Sequence, residues 1–263
     1  MPGSGIITIT TDFGHKGPIA SVMHGIIYAR FPDAKIVDLA HDIPPQWPPE
    51  AGFWVSRSYP YFPEGTVHLA IVDPGLGTDR DVLLVDYDQH VFVAPDNGLL
   101  GWLLNDAVGA DVFKLDVTCL DSLGIVNPSA TFHGRDIFAP VAAELAAGRI
   151  SPGDIGNATS EWTPAWLDEP ELQAGKVTGV VITFDSFGNL ITNIDAALLN
   201  DFEEPVVVIA GHRLPLLDTY SKARPGEYLA LVNSFGVIEI ARTEGNAAAS
   251  LGADRGAPVV VTT

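Results

Sequence analysis

The stretch that decides the fold is IITITTDFG at residues 6–14, a run of β-branched residues that ends in an acidic turn. β-Branched side chains favour extended backbone, so residues 6–11 predict a first strand, and Asp12 directly follows it. Residues 17–30 form an amphipathic stretch that predicts a helix, and residues 36–39 predict a second strand. The order strand, helix, strand is typical of an α/β layer structure.

The same alternation continues through the first half of the chain. Residues 67–72 form a continuous apolar run typical of a buried parallel strand, and Asp73 follows it. Residues 82–86 and 91–94 flank a polar turn and predict a hairpin, and residues 134–147 predict a helix. We therefore predict that residues 1–160 form an α/β domain with a central, mainly parallel sheet.

The second half of the chain has a different pattern. Residues 161–174 are rich in proline, tryptophan and acidic residues and predict a linker. Beyond them, helix-like segments vanish and short strand candidates alternate with turn residues. Residues 175–263 are therefore predicted to form a small all-β barrel domain.

Composition limits the class of protein. The chain has 33 acidic and 14 basic residues, and its net charge of −19 disfavours nucleic acid as a partner. No apolar run reaches the roughly 18 residues that span a bilayer, so no membrane association is expected. The N-terminal residues lack the features of a signal peptide, and Cys119 is the only cysteine. A cytoplasmic location is expected from these features.

Two carboxylates and one histidine are the first candidates for chemistry. Asp12 and Asp73 each follow a predicted strand, and open α/β sheets bind ligands beyond the carboxyl ends of strands. A helix cap or a turn is the alternative role for Asp12, and a turn is the alternative role for Asp73. His133 precedes a predicted helix, whose positive end favours a ligand, although a lone histidine is more often structural.

Metal-binding residue types occur in the first domain without a strong metal-binding spacing. The chain also lacks a Walker loop, a Gly-x-Ser-x-Gly elbow, and a Gly-x-Gly-x-x-Gly segment after the first strand. We therefore predict no metal ligands and no cofactor. The metal-binding types considered are Asp12, His15, Asp38, His41, Asp42 and Asp73.

Eight short motifs follow one another along nearly the whole chain. They are TDFG at 11–14, HDIP at 41–44, VDPGLGT at 72–78, APDNG at 94–98, TFHGRD at 131–136, FGN at 187–189, NS at 233–234 and GNAA at 245–248. In this order they resemble the S-adenosylmethionine hydrolases (adenosine-forming), which are related to fluorinase and chlorinase. The resemblance implies an α/β domain joined to a β-barrel. It also implies a homotrimer whose sites lie between one subunit's N-terminal domain and a neighbour's C-terminal domain.

The resemblance also implies roles for individual residues. Asp12 matches the acid that holds the ribose hydroxyls, and Asp73, Arg80 and His133 match the residues around the attacking water. The halogenases have a tyrosine where Asp73 stands and lack a histidine at the position of His133, so the resemblance implies water as the nucleophile. The positions that match substrate-binding residues are Trp47, Asp185, Asn189, Ser234, Asn246 and Ala247.

The implied reaction is hydrolysis of S-adenosyl-L-methionine to adenosine and L-methionine. Arg80 would stabilise negative charge on the attacking oxygen, and either His133 or Asp73 would accept its proton. The alternatives are a halogenase that uses the same substrate, a non-catalytic protein that binds S-adenosylmethionine or adenosine, and a metal-dependent phosphoesterase.

Overall fold

The computed structural model describes residues 3–73, 75 and 80–263. The chain divides into two compact units, Met1–Trp166 and Leu167–Thr263. The first unit is an α/β sheet structure and the second is an antiparallel, barrel-like sheet, so the predicted fold class is confirmed. Within the described ranges, no helix is long and apolar enough to cross a membrane.

The described strands of the N-terminal unit form one sheet. They are β1 Ile6–Thr11, β2 Lys35–Ala40, β3 Val67–Ile71, β4 Val82–Tyr87, β5 His90–Pro95, β6 Asp111–Leu115 and β7 Gly156–Ala158. Their order in the sheet is β2-β1-β3-β5-β4-β6-β7. The strands β2, β1, β3 and β5 are parallel, whereas β4, β6 and β7 are added antiparallel. The parallel part therefore occupies one half of the sheet, and the predicted hairpin is β4–β5.

Helices cover both faces of this sheet. Met23 of the first helix and Val141 of the fourth share one core with Leu69, and Val55 of the second helix shares the opposite core with Ala70. Strand β3 is therefore buried on both faces, as its continuous apolar run predicts. The helices are α1 Ile19–Arg30, α2 Pro48–Ser58, α3 Gly101–Asp106, α4 Ala139–Ala146 and α5 Pro152–Ile155, with 3₁₀ turns at Tyr59–Tyr61 and Val117–Leu123.

The helix predicted over residues 134–147 begins differently from the prediction. Residues Gly134–Phe138 form a π-helix that leads into α4, and the N–H of Ala139 donates to the carbonyl of Gly134, five residues back. Pro140 has no N–H to donate to the carbonyl four residues before it. The wider turn just before Pro140 therefore accommodates a residue that a regular α-helix would not.

The C-terminal unit is a nearly closed antiparallel sheet. Its described strands are β8 Glu171–Gln173, β9 Lys176–Phe184, β10 Leu190–Asp195, β11 Val206–Ile209, β12 His212–Pro215, β13 Tyr228–Val232, β14 Val237–Arg242 and β15 Pro258–Thr262. They lie in the order β12-β11-β15-β9-β10-β14-β13, with β8 added beside β9. A bridge between Leu216 and Ala230 joins the two ends of this order.

The C-terminal unit also contains a short helix, α6 Ala247–Leu251, and 3₁₀ turns at Ala196–Leu199 and Tyr220–Lys222. Helix α6 was not predicted, and Asn246 caps its first turn.

Part of the predicted linker is attached to the N-terminal unit. The backbone N–H of Thr163 donates to Oδ1 of Asp96 at 2.7 Å, and the indole N–H of Trp166 donates to the carbonyl of Asn97. Further along the same segment, β8 pairs with β9 in the C-terminal unit. The division between the two units accordingly falls after Trp166.

The strand order of the N-terminal unit creates a crevice at one edge. Strand β2, which follows β1 in the chain, pairs with one edge of β1, and the next strand, β3, pairs with the opposite edge. Ligands of open α/β sheets bind at such a switch point, beyond the carboxyl ends of the strands. Thr11 and Ile71, the last residues of β1 and β3, are paired in register. Asp12 and Asp73 therefore emerge at the same edge.

Candidate active site

Asp12 is held at this edge by a loop that comes much later in the chain. The backbone N–H of Gln46 donates to Oδ2 of Asp12 at 3.1 Å, and Gln46 adopts a left-handed φ of 62°. Burial raises the pKa of Asp12, and the negative charge of Asp73 contributes in the same direction. The two predicted acids are thus close enough to influence each other.

Two partners hold the carboxylate of Asp73. Its side chain is 6% exposed, and Nε of Arg80 lies 3.4 Å from its Oδ1. The same oxygen accepts the backbone N–H of Gly75 at 2.8 Å. Nε of Arg80 is buried and has no hydrogen-bond partner within the described residues. The ion pair with Asp73 therefore places the guanidinium at this edge of the sheet.

Some residues of the same motif fall outside this description. Pro74 and residues 76–79, which belong to or follow the predicted VDPGLGT motif, lie outside the described residues. The described residues of this part of the site are Asp73, Gly75 and Arg80.

The turn that carries His133 contacts both predicted strand ends. The rings of Phe13 and Phe132 meet edge to face with their centroids 6.0 Å apart. A Cβ atom added to Gly134 would lie 3.4 Å from Cδ1 of Ile71. His133, between Phe132 and Gly134, is consequently carried to the edge where Asp12 and Asp73 emerge. Single-turn π-helices such as the one that begins at Gly134 are frequent at functional sites.

The charged residues after His133 stabilise this turn. Nε of Arg135 donates to Oδ1 of Asp136 at 2.5 Å, and Oδ2 of Asp136 accepts the backbone N–H of Ser129 at 2.8 Å. The hydrogen bond from Arg135 is the main reason that the pKa of Asp136 lies far below its ordinary value. Arg135 and Asp136 therefore pair with each other, which leaves His133 as the candidate for proton transfer in this motif.

Trp47 is placed beside the loop that contacts Asp12. It immediately follows Gln46 and precedes α2. Its indole Nε1 is buried without a hydrogen-bond partner within the described part of the chain. A buried indole N–H normally has a partner, so this donor is consistent with the predicted substrate-binding role, which stays a prediction.

Asn97 is a positioning residue that the sequence analysis did not single out. It is buried, and its Nδ2 donates to the carbonyl of Val72 at 2.8 Å. Its Oδ1 accepts the backbone N–H of Leu99 at 3.1 Å. Because Val72 directly precedes Asp73, Asn97 fixes the backbone from which the Asp73 carboxylate projects. The available signal was the position of Asn97 inside the APDNG motif.

In the C-terminal unit, Asp185 organises the loop of the FGN motif. Its Oδ1 accepts the backbone N–H groups of Phe187 and Asn189, each at 2.9 Å. Its Oδ2 accepts Nδ2 of Asn189 at 3.0 Å. Asp185 and Asn189, both predicted as substrate-binding residues, are thus directly bonded.

The same loop packs against the residues of the GNAA motif. Gly188 has a φ of 82°, and a Cβ atom there would collide with the side chain of Asn246. The backbone N–H of Ala248 donates to the carbonyl of Gly188 at 2.9 Å, and Ala247 is fully buried at the start of α6. The structure therefore brings Asp185, Asn189, Asn246 and Ala247 into one neighbourhood.

Ser234 lies in an adjacent turn whose anchor was missed by the sequence analysis. Glu239 is buried, and burial raises its pKa. It accepts hydrogen bonds from the hydroxyl of Tyr220 at 2.5 Å and from Nδ2 of Asn233 at 3.3 Å. The charge of Asp185 also raises the pKa of Glu239. The Asn233–Ser234 turn is therefore fixed close to Asp185.

One further group of side chains can act as metal ligands. Nitrogens of His24 and His41 and an oxygen of Asp38 all lie within 4.8 Å of one another. Asp38 and His41 were among the metal-binding residue types in the sequence, whereas His24 was not. This is the one such group found among the described residues.

Comparison with known proteins agrees with this two-unit arrangement. Residues 7–156 match the model of the SAM hydroxide adenosyltransferase N-terminal domain, and residues 179–260 match that of the C-terminal domain. A protein of Thermus thermophilus named (R)-S-adenosyl-L-methionine hydrolase is 37% identical over 95% of this chain and 96% of its own length. A protein of Salinispora tropica with the same name is 36% identical, with 97% of each chain covered.

A solved structure and a more distant relative complete the comparison. The crystal structure of an uncharacterized conserved protein from Thermotoga maritima has a TM-score of 0.87 and 31% identity, and covers 98% of this chain and 100% of its own. A protein of an Actinoplanes species named fluorinase is 26% identical over 301 aligned positions. The chain is thus more similar to the relatives named hydrolase than to this fluorinase.

Proposed function

The chain belongs to the SAM hydroxide adenosyltransferase family, and we propose that it hydrolyses S-adenosyl-L-methionine to adenosine and L-methionine. Water attacks the ribose C5′, the bond from C5′ to sulfur breaks, and the sulfonium becomes the neutral thioether of methionine. The water gives up one proton to a base. The observation that carries the proposal is the Arg80–Asp73 pair at the switch point beside Asp12.

The chemical difficulty is the weak nucleophile. Forming hydroxide from water, with a pKa of about 15.7, costs about 12 kcal/mol at neutral pH. An arginine that stays charged can stabilise negative charge as it develops on the oxygen, and Asp73 keeps its guanidinium aimed. The guanidinium of Arg80, paired through Nε with Asp73, supplies the positive charge for this purpose. Either His133 or Asp73 accepts the proton.

Substrate positioning supplies the rest of the rate enhancement. We assign the ribose hydroxyls to Asp12, and Trp47 to the wall of the same pocket. Asp185, Asn189 and Ser234 bind the methionine and ribose end, and the adenine is bound by Asn246 and Ala247. In-line alignment of the oxygen, C5′ and sulfur turns a bimolecular encounter into an effectively unimolecular step.

The proposal includes the assembly and the location of the protein. We propose a homotrimer in which the N-terminal unit of one subunit and the C-terminal unit of a neighbour form each site, in the cytoplasm. Light scattering measures the assembly directly. Activity regained by mixed trimers of Asp73→Ala and Asp185→Ala subunits supports shared sites, because such trimers contain sites with both acids intact. Inactive mixed trimers contradict shared sites.

A product assay tests the function itself. The purified chain is incubated with S-adenosyl-L-methionine in chloride-free and chloride-rich buffers, and the products are separated by chromatography. Adenosine and methionine in equal amounts in both buffers support the hydrolase. Formation of 5′-chloro-5′-deoxyadenosine in chloride identifies a halogenase. Tight binding measured by calorimetry without any product identifies a non-catalytic binding protein.

A further inference from the structure

Two imidazoles converge on one carboxylate at the carboxyl end of β2. His24 projects from α1, Asp38 lies in β2, and His41 follows that strand directly. Nε2 of His24 lies 2.9 Å from Oδ1 of Asp38, and Nε2 of His41 lies 3.0 Å from the same oxygen. Three potential ligand atoms from two elements therefore face one another, outside the residues assigned to substrate.

The orientation of His41 is fixed from its other side. Its ring is 3% exposed, and its Nδ1 lies 2.8 Å from Oγ1 of the buried Thr11. Histidines that bind metals are usually oriented by a hydrogen bond at the second ring nitrogen, which sets the tautomer and raises the basicity of the ligand nitrogen. In the tautomer that donates Nδ1–H to Thr11, Nε2 carries a lone pair directed at the cluster.

That lone pair is not satisfied by a hydrogen bond. Nε2 of His41 is buried and has no hydrogen-bond partner in the part of the chain that the structure describes. Oδ1 of Asp38 lies 3.0 Å from Nε2 of His41 but does not make a hydrogen bond with it. The contact between Nε2 of His24 and the same oxygen does have hydrogen-bond geometry. Leaving a buried polar atom unsatisfied costs free energy. A cation between the three atoms would remove this cost.

We propose that His24, Asp38 and His41 bind one divalent transition-metal ion of the Zn²⁺ type. Zinc bonds to imidazole nitrogen and carboxylate oxygen are about 2.0–2.2 Å long, so tetrahedral ligand atoms lie about 3.4 Å apart. The two nitrogen–oxygen separations of 2.9 and 3.0 Å require only a small outward shift of these side chains, and the two nitrogens lie within 4.8 Å of each other. Two nitrogen ligands favour zinc and its neighbours over calcium and magnesium, which prefer oxygen.

The surroundings support a cation at this position. The net charge of −19 attracts cations to the protein as a whole. The exposed ring of His15 meets that of His41 edge to face, with the centroids 5.4 Å apart. With three protein ligands, the fourth tetrahedral position is left to water. The metal fastens α1 to the end of β2 and, through His41 and Thr11, to the end of β1 next to Asp12.

Metal titration tests the proposal without reference to catalysis. The full-length chain, freed of any affinity tag and of chelator, is titrated with Zn²⁺ in a calorimeter and with Co²⁺ in a spectrophotometer. One equivalent of Zn²⁺ binds in the micromolar range or tighter, with a rise in Tm. Co²⁺ gives the intense visible absorption bands of a four-coordinate site.

Variants assign the binding to these residues. His24→Gln and Asp38→Asn each weaken Zn²⁺ binding at least tenfold, and Thr11→Val weakens it by about 10- to 100-fold through the loss of His41 orientation. The matched control is His212→Gln, an exposed histidine of the C-terminal unit that leaves binding unchanged. Circular dichroism verifies that each variant folds. Absence of a saturable site, or unchanged affinity in both His24→Gln and Asp38→Asn, overturns the proposal and leaves the proposed hydrolase activity untouched.

Discussion

Nε of Arg80 lies 3.4 Å from Oδ1 of Asp73, and the side chain of Asp73 is almost buried there. Burying a carboxylate costs free energy unless a positive charge or hydrogen bonds compensate it. Arg80 and the N–H of Gly75 provide that compensation. The pair therefore holds a cation at the switch point of the sheet, where the proposed reaction needs positive charge beside the developing hydroxide.

Changing the arginine to another cation should separate charge from geometry. Arg80→Lys keeps the positive charge but loses the planar set of donors. We expect kcat to fall about 10²- to 10³-fold, the usual cost of losing a donor to a developing oxyanion, with KM changed little. Steady-state kinetics measure both constants. Arg149→Lys is the control, because Arg149 pairs with Glu144 away from the site and its loss should leave kcat unchanged.

Adding one methyl group at Gly75 should displace the guanidinium. A Cβ atom there would collide with the end of the Arg80 side chain, which is flexible enough to move aside. We therefore expect Gly75→Ala to fold, to have a lower Tm because the buried Asp73 loses part of its compensating charge, and to lose kcat. Gly25→Ala on α1 is the matched control, because nothing lies within 4 Å of the added atom and alanine favours the helix. Equal kcat values for the two alanine variants would contradict the role of Arg80.

The raised pKa of Asp12 predicts a pH dependence of substrate binding. Only the ionised carboxylate accepts hydrogen bonds from two ribose hydroxyls, and burial shifts its protonation to a higher pH. KM should therefore rise as the pH falls through the raised pKa of Asp12. Asp12→Asn should show a high KM with a flatter pH profile. The exposed Asp254→Asn variant should retain the wild-type profile.

The buried His68 predicts loss of stability in acid. Its Nδ1 bonds Oγ1 of Thr8 at 2.8 Å and its Nε2 lies 3.1 Å from Nδ1 of His90. Burial lowers the pKa of His68 to about 3. In the unfolded chain, His68 is protonated below the ordinary pKa of histidine, about 6.5. In the folded chain, it stays neutral until the pH falls to about 3. Stability should therefore be fully present above pH ~6.5 and fall by up to about 1.4 kcal/mol per pH unit below it.

Urea unfolding at neutral and mildly acidic pH measures this dependence. His68→Gln should lower the free energy of unfolding at neutral pH but make it change less with pH than in the wild type. The exposed His212→Gln variant serves as the reference and should follow the wild-type curve. An equally steep loss in His68→Gln would place the acid sensitivity elsewhere.

Much of the fold was predictable because local patterns agree with the final packing. The β-branched run of residues 6–11 became β1 with the predicted bounds, and the apolar run of residues 67–72 became the doubly buried β3. Strands that end at one edge bring their following residues together, so Asp12 and Asp73 were predicted as neighbours of a ligand site. The resemblance named the remaining candidates, and the structure groups them within each unit.

Other features came only with the tertiary structure. The bond from Asn97 to the carbonyl of Val72 joins residues that are 25 apart in the chain, and Glu239 meets Tyr220 across 19 residues. The first turn of the predicted helix is a π-helix, Gly134–Phe138. Pro140 lacks the backbone N–H that a regular α-helix would use there, and the periodicity of apolar residues does not register this loss.

The sequence by itself determined the two fold classes, the strand ends and the residue types available for chemistry, because these depend on local propensity and on the period of apolar residues. Only the tertiary structure decided which side chains meet. The convergence of His24, Asp38 and His41 depends on how α1 packs against the sheet beside β2. The approach of Arg80 to Asp73 likewise depends on where the side chains before β4 and after β3 are placed. Such contacts arise from side-chain packing across the fold, which no single segment of the chain specifies.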